Sequence, residues 1–516
     1  MSGDLYQKFL NSKYLPSLTH GRILALIVLT ATLIEIYVAS SLSLWNDEAI
    51  TANAAISVIE NGVPSFPSGS EYWRAFPHTL LAAASGHLFG INDLSLRLPS
   101  IILSSATVVL TYLTCKEFFD RDTGLIGSTL LAFSALQIAL STQVRMYALL
   151  QFLYLLSILL IYRFVERRKK RDLLFLTASL ILISFVHVTG YILFFVALSY
   201  WIYRTDLSKA SNKLSIVGIP VLILALATIL QLTERISFLH ILGKLTFNPE
   251  NIYFYYEFVF KHIPFLSVLG LTGSILAFRK NLRSTVLLSG SIFPALYIYI
   301  LHYDGVAGRY IYFSLPILTI WAGLTIKAFS EKAADLIRNS FDRDISVKYI
   351  IIFLTLTGLL AGSGFDYDFT EGDYRVSFDQ KSVYNHIEDN SDRNDTLITQ
   401  WTPSATYYYR VPDYSLYGDK SVPGYNPSYY RDEYSFEGRD VYSGAEFIDN
   451  NRELLDKIKQ SESGWIVLRD FSYRVKSEEI KNTISNLPLI GEFTDLKVWR
   501  WNKSVSISDN TSSNNK

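Results

Sequence analysis

The chain has 516 residues, half of them hydrophobic and 18% charged, with 14% aromatic residues and a mean hydropathy of +0.22. Ordinary soluble domains carry roughly 25% charged residues, so this balance reads as an integral membrane protein. A formal net charge of zero excludes the global basic field that draws nucleic acid, and a single cysteine, Cys115, excludes a disulfide or a cysteine-based metal site within the chain.

A polar segment with Lys8, Lys13 and Arg22 leads into ILALIVLTATLIEIYVASS, which has the length of a spanning helix and no cleavage-site pattern behind it. It reads as an anchor with its amino end inside. Directly after it, LSLWNDEAITANAAISVIENG puts Asp47 and Glu48 at the membrane boundary. Acids at this depth usually face a polar cavity, a cation or a substrate. The alternative is an N-cap, with Asn46 and Asp47 preceding a helix that Gly62 ends. The next apolar stretch, Phe76 to Gly90, is short and carries His78 and His87. If it spanned, the later basic loops would be displaced outside, so it is laid along the outer surface as an interfacial helix.

Further apolar runs follow near 97–115, 124–141, 147–164, 173–203, 214–233, 263–278, 285–301, 310–328 and 349–365. The basic clusters KEFFDR, VERRKKRD, YRTDLSKASNK, FRKNLR and KAFSEKAADLIRNSFDRDISVK fall in alternate loops, which the positive-inside rule puts in the cytoplasm. As one helix, 173–203 would be about 46 Å long against a hydrocarbon core of roughly 30 Å, and both its flanks are basic. It must go out and come back, turning near Thr189-Gly190. The expected fold is an α-helical multi-spanning membrane protein of about eleven helices, amino end inside and carboxyl end outside. Residues 1–365 form its transmembrane domain, with a first outer loop at 42–96.

After the last span the composition turns to Tyr, Asp, Ser and Asn. Helix-like NRELLDKIKQ and EEIKNTISNL alternate with strand-like DTLIT, GWIVLRD and LKVWRW, so 366–505 reads as an extracytoplasmic α/β domain and 506–516 as a disordered tail. Asn394, Asn502 and Asn510 each begin an N-x-Ser/Thr triplet, in agreement with exposure.

This topology gathers polar residues at the outer face: Asp47, Glu48, Arg74, His78, Arg97, Arg145, Tyr147, His187, Lys244 and Arg309 among them. Arg97 and Arg145 could equally anchor span ends among headgroups, and His187 and HYDGVAGR read as turns. What favours a site is convergence of carboxylates, arginines and histidines on one face.

In their order, WNDEA, RAFPHTLLAAASGHLFGINDLSLRLPS, STQVRMYALL and AGRYIYFSLPIL resemble the C-type (GT-C) multi-spanning glycosyltransferases, of the protein O-mannosyltransferase and lipid A aminoarabinose transferase kind, over residues 22–365. The resemblance implies a polyprenyl- or dolichyl-phosphate sugar donor, Asp47 as the catalytic acid of the first outer loop, and a juxtamembrane helix at Phe76–Gly90. The sequence departs from the pattern twice. The usual double proline is Phe76-Pro77-His78, and the second acid often found near the third outer boundary is absent beside Arg145.

The chemistry suits the residue set. A lipid phosphate is already a good leaving group, so the enzyme must deprotonate an acceptor hydroxyl and neutralise charge on the departing phosphate. Inverting transfer needs one base and no covalent intermediate. Asp47 is the expected base and Glu48 its positioning or metal-binding neighbour. Arg74, His78, Arg97, Arg145, Tyr147, Lys244 and Arg309 are candidates for binding donor phosphate or substrate, arginine being suited to bidentate contact. No cofactor is expected, although Asp47 and Glu48 offer oxygen ligands that would suit a hard divalent cation. The partners implied are a lipid-borne sugar, a glycan or glycoprotein acceptor and membrane lipids. The rival is a polytopic transporter or lipid-linked-glycan flippase, which would carry charges near the midplane, broken helices and internal repeats.

Overall fold

The computed structural model describes residues 19–204, 247–303, 306–341, 379–392, 394–417, 419 and 434–502. The predicted spans 214–233 and 349–365, the candidate Lys244 and the tail lie outside the described residues. Two compact units separate: one within 1–37, 101–141 and 147–367, the other within 38–100, 142–146 and 368–516. The residues of the first outer loop therefore group with those of the carboxyl-terminal domain.

The first unit is a helical bundle. Among the described residues of the chain, five helices are long and apolar enough to cross a bilayer, or up to seven if each of two bent pairs is one span. The predicted span 124–141 is one such pair, Arg121–Ala132 and Ala135–Ser141, bent by 61°. The stretch 173–203 does break where its length requires. Helix Lys170–Val186 ends at His187, a 3-10 turn covers Val188–Tyr191, and Ile192–Arg204 returns. Arg204 then pairs with Glu166 at 2.7 Å, which brings the end of the return helix to the level where the outgoing one began.

Ion pairs draw described residues of, or next to, the five basic clusters together in this unit. Glu117 holds Arg163 at 2.7 Å and Arg167 at 2.6 Å, Glu166 holds Arg204 and Arg283, and Lys327 reaches Asp120 at 2.7 Å. Elsewhere the helices close on one another through small residues. Helix Pro264–Lys280 meets the long helix Leu315–Phe341 at Gly273, where a Cβ would lie 1.8 Å from the Trp321 carbonyl oxygen. Any larger residue there forces the pair apart.

The second unit contains the expected α/β domain. Strands β1 (Thr396–Thr399), β2 (Tyr414–Leu416), β5 (Glu446–Ile448), β6 (Ser463–Arg469), β7 (Leu489–Phe493) and β8 (Leu496–Asn502) form one sheet in the order β5-β2-β1-β6-β8-β7. The first four are parallel and the last two antiparallel. β3 (Ser435–Phe436) and β4 (Arg439–Asp440) make a separate hairpin. Parallel strands need cover on both faces. One face packs Ile398, Leu416 and Ile466 against Leu454 and Ile458 of helix Asn451–Gln460 and Ile480 and Ile484 of helix Glu478–Ser485. The other packs Leu397, Trp465 and Val467 against Val383, Tyr384 and Ile387 of helix Gln380–Asn390. Trp45, from the first outer loop, is buried in this second core.

Candidate active site

The acid-bearing helix runs Asn46–Asn61 and ends at Gly62, whose φ of +76° is the left-handed conformation glycine adopts freely. It starts at Asn46, so neither Asn46 nor Asp47 can be its N-cap. Glu48 therefore occupies the third helical position, where its Oε2 accepts the Trp45 N–H at 3.2 Å. The N-cap is thus Trp45 rather than Asn46 or Asp47, with Glu48 closing the first turn from the third position.

Glu48 is fully buried and meets Arg97, equally buried, in a two-pronged pair: Nε to Oε1 at 2.9 Å and Nη2 to Oε2 at 2.8 Å. Oε1 also accepts the Val144 N–H at 2.7 Å. A carboxylate has about four lone-pair sites, and these four bonds occupy them, leaving none for a cation shared with Asp47. Arg97 completes its set by donating Nη1 to the carbonyls of Ala39 and Leu42 and Nη2 to that of Ser43. All five guanidinium N–H groups are engaged, so none is left for a donor phosphate. The headgroup-anchor alternative fails for the same reason. Arg97 instead ties the end of the first span to the acid helix.

Asp47 is different. Its side chain keeps 27% of its surface, with an Arg145 Nη2 3.7 Å from Oδ2. Arg145 is itself nearly buried and is fixed over the first helical turn, its Nη1 donating to the Asp47 carbonyl at 3.0 Å and to Thr51 Oγ1 at 3.3 Å. His78 lies beneath, buried, with Nε2 3.1 Å from Ser100 Oγ. Burial, and then the nearby Arg145 charge, push its pKa down to about 3, so His78 is neutral at ordinary pH. It sits on helix Phe76–Phe89, the expected interfacial helix, which leaves Leu80, Leu81, Leu88 and Phe89 exposed. Arg74 is exposed just before that helix.

The carboxyl-terminal α/β domain packs on this arrangement. Helix Thr402–Tyr408 packs on the acid helix, with Asn53 Nδ2 donating to the Pro403 carbonyl at 2.9 Å. Tyr408 accepts the Leu44 N–H and donates to Asp93, and Tyr407 donates to the other Asp93 oxygen at 3.0 Å.

Tyr147 and Arg309 belong to the first unit. Tyr147 is buried, its ring 6.4 Å from that of His187, which bonds Thr189 Oγ1 in the turn at 2.8 Å. Arg309 lies in the 3-10 turn Gly308–Tyr310, half-buried, 5.5 Å from the Tyr310 ring centre. Sequence reasoning passed over Glu35, the one acid inside the first span. It is buried, and its Oε1 accepts from Ser104 and Ser141, each at 2.6 Å. Its lone position in an apolar run was the signal.

By sequence, the family model described as dolichyl-phosphate-mannose-protein mannosyltransferase matches residues 74–232, less than a third of the chain. None of the curated proteins compared matches it by sequence. By structure, the chain is similar to ArnT from Cupriavidus metallidurans bound to undecaprenyl phosphate, at 11% identity and a TM-score of 0.60, over 92% of this chain and 97% of that one. It is also similar to the archaeal oligosaccharyltransferase AglB from Archaeoglobus fulgidus, in complex with an inhibitory peptide and a dolichol-phosphate. That match has 11% identity and a TM-score of 0.54, over 86% of this chain and 69% of the other.

Proposed function

We propose that this chain, which carries the GT-C fold, is a membrane glycosyltransferase with a polyprenyl- or dolichyl-phosphate sugar as donor. It moves a hexose, mannose in our reading, to a hydroxyl of an acceptor glycan, glycoprotein or lipid-linked glycan at the outer face, with inversion. Asp47 is the general base. The observation that carries this assignment is the contrast within the acid pair: Glu48 is fully buried with its lone pairs filled, whereas the Asp47 side chain, 3.7 Å from Arg145, keeps 27% of its surface. An acceptor hydroxyl can approach such a carboxylate, and inversion asks for nothing more on that side of the sugar.

By their sequence motifs Arg145, Lys244 and Arg309 are the phosphate candidates of this reading, the arginines offering a planar fork suited to phosphate oxygens. Arg74, His78 and Tyr147 are the substrate candidates of this reading. Arg97 and Glu48 position Asp47 rather than touch substrate. No metal is needed for departure of the phosphate, which the arginines can assist. Loss of transfer on chelation, restored by a divalent ion, would overturn that point.

The deciding experiment compares Asp47→Asn with the parent in purified membranes supplied with a synthetic polyprenyl-phosphate mannose. We expect transfer to fall at least roughly a hundredfold, the scale of removing a general base, with insertion intact. Transfer at the parental rate would sink the mechanism. The transporter reading has one observation in its favour, the buried Glu35 inside a spanning helix. Normal transfer in Glu35→Gln would leave that residue a structural role.

A further inference from the structure

The face of the acid helix that carries Asp47 continues through Ile50 and Ala54, three and seven residues on. Those two are buried together with Phe66 of the first outer loop, and Tyr72 and Tyr442 pack on them. Phe66 stands 5.5 Å from Tyr72 and 5.2 Å from Tyr442, the latter edge to face, and Tyr434 lies 5.9 Å from Tyr442. Tyr72, Tyr434 and Tyr442 are only half-buried.

This cluster is held by more than apolar contact. Ser68 and Ser70, at the tip of a small hairpin closed by the Ser65–Glu71 bridge, both donate to the Val441 carbonyl. On the outer-domain side, Asp440 is buried and fixes the turn. Its Oδ1 accepts from the Tyr442 and Ser443 N–H groups at 3.1 and 2.9 Å and from Thr402 Oγ1 at 2.8 Å. The Tyr442 ring is thus placed by two elements at once, which plain core packing does not require. Its hydroxyl is held well above the ordinary phenol range, by burial first and then by Tyr434, Tyr72 and Asp47, so Tyr442 remains a neutral ring within electrostatic reach of that carboxylate.

A cluster of half-buried tyrosine rings beside one carboxylate has a definite chemical match. The C–H face of a pyranose carries slight positive charge and packs on the negative face of a ring, while its hydroxyls point outward to hydrogen-bonding groups. We propose that Tyr442 and Tyr72 form a carbohydrate-binding shelf beside Asp47, so that the outer domain supplies one wall of the catalytic site. This rests on the glycosyltransferase reading only for what happens to the sugar once bound.

The test uses the full-length protein in lipid nanodiscs and saturation-transfer NMR with methyl mannoside as the probe. The parent transfers saturation to the ring C–H protons. Tyr442→Leu, which keeps bulk but removes the π face, weakens binding at least about tenfold, near 1.4 kcal/mol, and Tyr442→Phe stays within about twofold of the parent. A parent that shows no transfer, or a folded Tyr442→Leu protein that binds like the parent, overturns the shelf. Adding polyprenyl-phosphate mannose separates the two sources of the ring: a persistent probe signal assigns the shelf to an acceptor glycan, and displacement assigns it to the donor sugar. Asp47→Asn binds the probe as the parent does. If that variant also retained full turnover, the base assignment would fall while the shelf stood.

Discussion

Asp47 and Glu48 are chemically near-identical neighbours in one helical turn, yet they end in opposite environments. Successive side chains on a helix point about 100° apart, so one acid faces the junction of the first span, residue 97 and residue 144, and the other faces outward. Glu48 is enclosed by four donors, whereas the Asp47 side chain is partly exposed beside a fixed arginine. The difference teaches that a conspicuous acid pair at a membrane boundary need not act as a pair. One member sets the frame and the other stays partly exposed.

The comparison can be broken most forcefully from the enclosed side. Arg97→Ala leaves the Glu48 charge buried without its partner, which costs about 3–5 kcal/mol. Thermal unfolding in detergent should show a large loss, and a variant as stable as the parent would mean that the pair is not the frame. Next in size is a pH effect through His78. Its pKa in the fold is about 3 against an ordinary value of 6.5, so the unfolded chain binds more protons between those limits and stability rises with pH across that window. Acidification from pH 7 to 5 should cost about 2 kcal/mol through this group, and His78→Gln should remove that share of the pH dependence. A smaller effect, about 1 kcal/mol, is expected for Tyr408→Phe, which leaves the Leu44 N–H without its acceptor and Asp93 with one tyrosine fewer. At the far end, Asp47→Asn should unfold within about 0.5 kcal/mol of the parent, since its side chain is neither cap nor core. A marked loss of stability there would erase the contrast between the two acids.

Much of this was legible in the sequence because bilayers and sheets impose strong periods. Basic clusters in alternate loops, a run too long to cross once, and strand-like GWIVLRD and LKVWRW each announced their element. The short strands Tyr414–Leu416 and Glu446–Ile448 carry three residues each and too little pattern to be seen. The site was legible as a set of residue types at one face and illegible as a set of partners. Nothing in WNDEA says that Glu48 will find Arg97 49 residues away, or that Tyr408 will reach Leu44 across 364. Side-chain pairing over such separations is decided by packing, and local sequence carries no record of it. The same holds for Arg97, whose place at the start of RLPS suits a phosphate ligand and a structural clamp equally.

The bond between Leu44 and Tyr408 also fixes a schedule. Synthesis proceeds at about 5–20 residues per second, so roughly 20 to 70 s separate the emergence of the two residues. Throughout that interval the acid-bearing helix exists without the helix that covers it and without the sheet core that receives Trp45. The first outer loop can be threaded early, but its final geometry waits for almost the whole chain. A nascent or truncated chain ending before about residue 400 would be an inserted bundle with an unfinished first loop. The order of synthesis thus serves as a lock, keeping the acid-bearing helix from its final surroundings until the last domain has folded.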